Sequence, residues 1–96
     1  MARNNRSDAE YEIGGATKCF KVMEALMGTD AEPVTVQTVM ERTGFDRNFV
    51  DRALKTLRLN GYAKQVDPSK KWSLGSRLLK FSERFNETCL HALAKR

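Results

Sequence analysis

The run Val34-Thr35-Val36-Gln37-Thr38-Val39-Met40-Glu41-Arg42-Thr43-Gly44-Phe45-Asp46-Arg47-Asn48-Phe49-Val50-Asp51-Arg52-Ala53-Leu54-Lys55-Thr56-Leu57-Arg58-Leu59-Asn60-Gly61 decides the fold of this chain. Thr35 can cap a short helix, because its hydroxyl can accept from an orphan backbone N–H one turn on. Gly44 is placed to stop that helix in a left-handed conformation. Asp46 can cap a second helix in the same way, and its charge suits the positive end of the helix dipole. With Arg47 set at 0° on a helical wheel, Arg47, Arg58, Asp51, Lys55, Asn48 and Arg52 fall within roughly 0–140°. Phe49, Ala53, Leu57, Val50 and Leu54 fall within roughly 200–340°. One face packs and the other reaches out. Leu59, at about 120°, breaks the division and is expected to pack under the hairpin that comes next in the chain.

Residues 62–66 and 71–74 alternate as two antiparallel strands about the turn Asp67-Pro68-Ser69-Lys70, with Gly61 ending the helix. A hairpin this short is marginal alone, so Tyr62, Val66, Trp72 and Leu74 are expected to anchor it to the helices. Val34 is expected to add one short strand pairing with it. Two helices joined by a brief turn and trailed by a hairpin make a helix-turn-helix with a wing, an arrangement that presents a basic helix to the DNA major groove.

Upstream, the polar residues 1–13 read as a disordered arm ended by Gly14-Gly15. From Ala16 the residues Cys19, Phe20, Val22, Met23, Leu26 and Met27 gather within about 160° of arc, which predicts a core-facing helix. Residues 28–33 form a loop. Downstream, Gly75 and Ser76 open a last helix over 76–94, with Ser76 as its candidate cap. Its apolar residues Leu78, Leu79, Phe81, Phe85, Cys89, Leu90, Ala92 and Leu93 span about 180°, wide for a helix packing on one side. Two readings stand. In one, Leu78, Phe81 and Phe85 cover the first helix while Leu79, Leu90 and Leu93 meet a partner helix in a homodimer. In the other the whole stripe is the core of one small domain. The predicted class is mainly α with a small antiparallel β-hairpin, a winged helix-turn-helix in the order helix, short strand, helix, helix, strand, strand, helix. The helix-turn-helix occupies 35–60, the wing 62–74, and 14–96 form a single domain.

At 96 residues and 41% hydrophobic content the chain suits one small domain, and a binding module more than a large enzyme. The formal charge of +5 favours an acidic partner, and its distribution says more. Lys and Arg against Asp and Glu number 4 against 7 in residues 1–41, 10 against 3 in 42–80, and 3 against 2 in 81–96. Segment charges of −3, +7 and +1 thus put the positive excess on the second helix of the motif and the hairpin.

The start Met1-Ala2-Arg3-Asn4-Asn5-Arg6 has no apolar run, and no stretch approaches the ~20 apolar residues that span a bilayer. A cytoplasmic protein is expected, associated with the nucleoid when bound to DNA. Cys19 and Cys89 make no disulfide framework, and Cys19 reads as a small core residue. There is no Gly-rich phosphate loop and no clustered metal-ligand set; Gly14-Gly15 lacks a following lysine, and the lone His91 reads as solvated. No catalytic residue, metal or cofactor is therefore assigned.

Four segments carry a resemblance: residues 34–45 and 50–57 of the helix-turn-helix, Asn60-Gly61-Tyr62-Ala63, and Trp72-Ser73-Leu74-Gly75-Ser76-Arg77-Leu78-Leu79. Together they resemble the amino-terminal DNA-binding domain of the IclR-type transcriptional regulators, over about residues 14–85. The helix-turn-helix pattern is common to many winged helices, whereas Leu-Gly-x-Arg-Leu-Leu after the wing is more particular. The resemblance implies a winged helix that binds double-stranded DNA. Members of that family carry a ligand-sensing domain after the trailing helix, and this chain ends at Arg96, so a small-molecule effector is not expected. Asp46-Arg47-Asn48-Phe49 also departs from the usual Ser/Thr-rich start of the second helix, so no target sequence carries over.

Within the motif Arg47, Asn48 and Arg52 occupy the first two turns of the second helix, where Arg to guanine or Asn to adenine forms paired hydrogen bonds. Asp51 either accepts from cytosine N4 or pairs with Arg47 and Lys55. Lys55 and Arg58, with Lys64, Lys70 and Lys71 on the wing, suit phosphates, which supply affinity without reading sequence. Thr35 and Thr38 can donate hydroxyls to the DNA backbone, unless capping uses Thr35 fully. Trp72 either stacks on bases or packs. The function read from this is sequence-specific double-stranded DNA binding by a small transcriptional regulator, a repressor. The alternatives are a winged-helix docking module for proteins, or a DNA-binding accessory factor in replication or recombination, as in a mobile element.

Overall fold

A computed structural model describes residues 8–27 and 32–87. The expectations on Cys89, Leu90, His91, Ala92 and Leu93, and on the first seven residues of the arm, lie outside them. The chain forms α1 (Gly14–Ala25), α2 (Val36–Thr43), α3 (Arg47–Leu59), β1 (Ala63–Val66), β2 (Lys71–Leu74) and α4 (Arg77–Phe85). Mainly helical, with one antiparallel hairpin, this is the predicted winged helix-turn-helix order. A 3-10 turn over Asp8–Tyr11 occupies part of the predicted disordered arm. Gly14 and Gly15 do not break the chain but form the first turn of α1, with Ile13 at its cap position making no side-chain bond.

The helix ends of the motif are set by their cap residues. Thr38 N–H donates to Thr35 Oγ1 at 3.1 Å, and Phe49 N–H donates to Asp46 Oδ1 at 2.8 Å. Gly44 takes φ 79°, the left-handed region that favours glycine, and its N–H donates to the Met40 carbonyl at 2.8 Å. The capping role expected of Ser76 does not hold, because its backbone is already helical and its hydroxyl makes no cap bond. The orphan N–H of Arg77 instead donates to the Gly61 carbonyl at 3.2 Å, which ties the start of α4 to the end of α3.

Packing centres on α3, which lies against α1, α2 and β1. Val50, Ala53, Leu54 and Leu57 are buried from it, with Val22, Ala25 and Leu26 of the α1 segment, Val39 of α2, Ala63 and Trp72. Cys19, Met23, Phe45, Phe49, Tyr62 and Leu74 pack around this centre half-buried. The predicted inward face of α1 is narrower than expected: Phe20 and Met27 are exposed, and Ala25 is buried in their place. Leu59 does not pack under the hairpin. It is 85% exposed, since its wheel position puts it on the polar side of α3 and nothing covers that side among the described residues.

The hairpin pairs Ala63 with Leu74, Lys64 with Ser73, Gln65 with Trp72 and Val66 with Lys71. Strand side chains alternate, so Ala63, Gln65, Trp72 and Leu74 share one face. That face carries the anchors: Trp72 is 2% exposed and Ala63 is buried. Val66 lies on the other face, half-buried and outside the core, and is not an anchor as expected. Val34 adds the predicted edge, with Val34 N–H donating to Trp72 O at 2.8 Å and Trp72 N–H to Val34 O at 2.7 Å.

No residue of α4 is buried, and Leu79, Phe81 and Phe85 are 60%, 57% and 54% exposed. The expectation that Phe81 and Phe85 seal against α1 therefore fails, as does the reading of the whole stripe as core. Phe81 instead stacks on Tyr62, centroids 6.0 Å apart. Leu78 and Phe81 line one side of an apolar groove of about 400 Å³ opposite Cys19, Phe20 and Met23 of α1.

This packing separates buried from exposed leucines on one helix. Leu54→Ala should cost about 2–5 kcal/mol in denaturant unfolding, as deletion of a fully buried side chain does, whereas Leu59→Ala should stay within about 0.5 kcal/mol. Gly75→Ala should cost about 1–3 kcal/mol even without a change of backbone region. A Cβ at Gly75 would press on the Gly61 carbonyl oxygen and lie 2.8 Å from Ala63 N, both unyielding backbone atoms. A Gly75→Ala melt that matched the parent would show that the junction between α3, β1 and α4 relaxes freely.

Candidate nucleic-acid interface

The basic residues of the motif fall on surfaces the core leaves free. Asp46 caps α3, so Arg47 and Asn48 occupy its first turn, and both are exposed. Arg52 comes one turn later, also exposed, and none of the three is engaged in an ion pair among the described residues. The buried stripe of Val50, Ala53, Leu54 and Leu57 turns these side chains outward. Asp51 lies among them and binds Lys55, Nζ to Oδ2 at 3.0 Å, which is the Lys55 half of its pairing reading, while the pair with Arg47 is not formed. Both ends of that pair remain substantially open to water, so the bond is worth at most a few tenths of a kcal/mol, roughly the value of an exposed i,i+4 pair.

Thr35 is exposed, but its Oγ1 is engaged twice, by the Thr38 amide and by the Thr38 hydroxyl at 3.1 Å. A hydroxyl oxygen can still offer its proton outward while accepting. On the wing, Lys64 and Lys71 stand on the hairpin face opposite Trp72, and Lys70 sits at the tip with φ 62°. All three lysines are exposed. Trp72 packs, the second of its two readings, and is not open for base stacking.

Arg58 is exposed and makes contacts that its sequence reading did not include. Its guanidinium carbon lies 5.5 Å from the centre of the Trp72 ring, and Nη1 donates to Gln65 Oε1 at 3.1 Å. These contacts join α3 to the wing. Of the three dimer candidates, Leu79 is exposed on α4, while Leu90 and Leu93 lie outside the described residues.

Other residues that shape this surface carry no periodic signal in the sequence. Arg42 Nη1 donates to the carbonyls of Ala25 at 2.7 Å and Met27 at 3.3 Å, satisfying the C-terminal end of a different helix. A basic residue in the last turn of α2 reads from sequence as serving its own helix, so only the tertiary fold reveals its target. Lys18 of α1 holds its ammonium 5.7 Å and 5.6 Å from the ring centres of Phe45 and Phe49, which meet edge to face at 5.4 Å. That contact braces the turn from which α3 starts.

No group of three or more His, Cys, Asp or Glu side chains is placed to hold a metal ion among the described residues. No helix among them is long and apolar enough to cross a membrane.

No family model matches the chain. It is 38% identical over 76 residues to the p-hydroxybenzoate hydroxylase transcriptional activator of Acinetobacter baylyi, a stretch covering 79% of this chain and 27% of that protein. Among solved structures, an IclR transcriptional regulator from Alicyclobacillus acidocaldarius matches with a TM-score of 0.75 at 25% identity, over 88% of this chain and 35% of that one. An IclR family transcriptional regulator from Brucella abortus matches with a TM-score of 0.74 at 17% identity, over 92% and 33%. The chain thus spans about a quarter to a third of the length of the regulators it resembles.

Proposed function

We propose that this chain, an IclR-type winged helix-turn-helix domain, binds double-stranded DNA in a sequence-specific manner as a transcriptional regulator. In this reading α3 enters the major groove and the wing lies along the phosphate backbone. The observation that carries it is the exposed face of α3, where Arg47, Asn48 and Arg52 stand free within the segment of net charge +7, beside a wing bearing Lys64, Lys70 and Lys71. Arg and Asn at the start of such a helix can each contact a base edge with two hydrogen bonds, and the lysines act as point charges toward phosphate. Thr35 and Thr38, at the start of α2, supply hydroxyls to the backbone. The role is binding rather than catalysis. DNA binding alone fixes no sign of regulation: the Acinetobacter relative is an activator, whereas a repressor needs only to occupy its site.

A homodimer through α4 is the second element of the proposal. It is supported by the exposure of Leu79, Phe81 and Phe85 on a helix with no fully buried residue among those described. Leu90 and Leu93 are assigned to the same contact from the sequence. An apolar stripe left in water is an association surface.

Arg47→Ala or Arg52→Ala should remove about 1–3 kcal/mol of discrimination at one base position while leaving binding to random duplex nearly intact. Lys70→Ala combined with Lys71→Ala should weaken binding to all duplexes alike and flatten the plot of log affinity against log salt by about 2. Wild-type affinity from that double variant at low salt would remove the wing from the interface. Failure of the parent chain to bind random duplex at low salt would instead favour a protein-docking role. Selection from a random pool should return a palindrome if the domain acts as a dimer, and no enrichment would point to an accessory factor. For the dimer itself, sedimentation at tens of micromolar should show self-association that Leu79→Glu abolishes; monomer alone would end that part of the proposal.

A further inference from the structure

Arg58 lies in the last turn of α3, and its side-chain contacts lead into the wing. Its guanidinium covers the Trp72 ring at 5.5 Å and donates to Gln65 Oε1 at 3.1 Å. Gln65 is the partner of Trp72 across the hairpin, and its own Nε2 donates onward to the Lys70 carbonyl at 3.1 Å. Lys70 holds φ 62° at the hairpin tip, and its N–H closes the turn onto Val66 O at 2.7 Å. A continuous chain therefore runs from the last turn of α3, through one side-chain amide, to the backbone of the residue that carries the wing-tip charge. On its other edge Trp72 is fixed to Val34 by the two backbone bonds that open the helix-turn-helix. Only an arginine meets all of these demands, since its flat guanidinium stacks on an aromatic face while its N–H groups still reach an acceptor in the same plane.

We infer that Arg58 and Gln65 form a positioning latch that sets the wing against α3, so that Lys70 and Lys71 meet phosphate while the α3 side chains meet bases. Arg58 acts through Gln65 and is not itself one of the phosphate contacts. The inference rests on the proposed DNA binding and adds to it a residue, Gln65, that carries no charge. It also carries a side-chain tie from α3 to Lys70 at the turn of a hairpin whose strands have only four residues each.

The test compares Arg58→Met, Arg58→Lys, Gln65→Leu and the double variant Arg58→Met with Gln65→Leu, in random duplex DNA titrations over a range of salt. Circular dichroism confirms that each variant is folded. With a latch, Gln65→Leu weakens binding roughly tenfold and lowers the salt slope by about 1–2, although it removes no charge, because unseated lysines release fewer counterions. The double variant then loses no more than the worse single one, and Arg58→Lys fails to restore the parent, since an ammonium cannot stack and bond as the guanidinium does. Emission from Trp72, the sole tryptophan, shifts in every Arg58 variant. The opposite pattern overturns the latch: Gln65→Leu matching the parent in affinity and slope, Arg58→Met lowering the slope by about 1, and Arg58→Lys restoring it, as a simple phosphate contact requires. If the parent chain binds no duplex at any salt, the DNA reading itself has failed. That result is distinct from binding by the parent with a silent Gln65.

Discussion

The rotational setting of α3 is the constraint on which the rest of the surface depends. Four residues of this helix are buried, and they lie against three separate elements, α1, α2 and β1. Val50, Leu54 and Leu57 each gain about 1.5–3 kcal/mol on leaving water, so the set resists rotation about the helix axis. A turn by one residue, about 100°, would carry Arg52 and Lys55 toward the core, where an unpaired charge costs several kcal/mol. Arg47, Asn48 and Arg52 point outward because Val50, Leu54 and Leu57 cannot. The exposed face of α3 needs no separate device to aim it.

The wing is set by a second constraint of the same kind. In a two-stranded ribbon a slip of one residue moves every side chain to the opposite face. Ala63 and Trp72 stand on the inner face, and Trp72 is also locked to Val34 by a reciprocal pair of backbone bonds. A slip would push Lys64 or Lys71 inward and Trp72 into water. Trp72 is thus the pivot of the hairpin: buried on the core, paired through its backbone with Val34, and covered by Arg58. The lysines of the outer face owe their exposure to it.

Legibility in the sequence tracks how local each cause is. Thr35, Gly44 and Asp46 are readable because a cap depends on residues within one turn, and each behaves in the structure as its chemistry requires. The two faces of α3 are readable because thirteen residues at one period leave little ambiguity. Ser76 misleads because a serine before a helix is a cap only if its backbone is extended; here the carbonyl of Gly61, fifteen positions earlier, takes the place of the hydroxyl. Leu59, Val66, Phe20 and the phenylalanines of α4 mislead for a different reason. Apolar character predicts burial only where a partner element covers the side chain, and the described residues cover these positions only in part or not at all. Arg42 and Gln65 are invisible because their partners lie in other elements, at separations that no periodic pattern encodes. The resemblance to IclR-type regulators locates the fold, yet it says nothing of these contacts.

Asp51 shows how the basic face divides its work. A carboxylate among Arg47, Arg52 and Lys55 lowers the positive field along α3, and its bond to Lys55 takes the one lysine of that face partly out of play. The wing holds Lys64, Lys70 and Lys71 against Asp67 alone, which is exposed at the turn. Attraction to a polyanion scales with the charge it neutralises and is screened over about 10 Å at 0.1 M salt. Arg47, Arg52 and Lys55 against Asp51, and the three wing lysines against Asp67, each leave a net +2, so under the proposed DNA binding neither element outweighs the other. With the charge shared between helix and wing, the proposed binding gains most when both reach the duplex together. A protein organised this way depends on the angle between wing and helix more than on the number of its charges. The Arg58 to Gln65 contact fixes that angle.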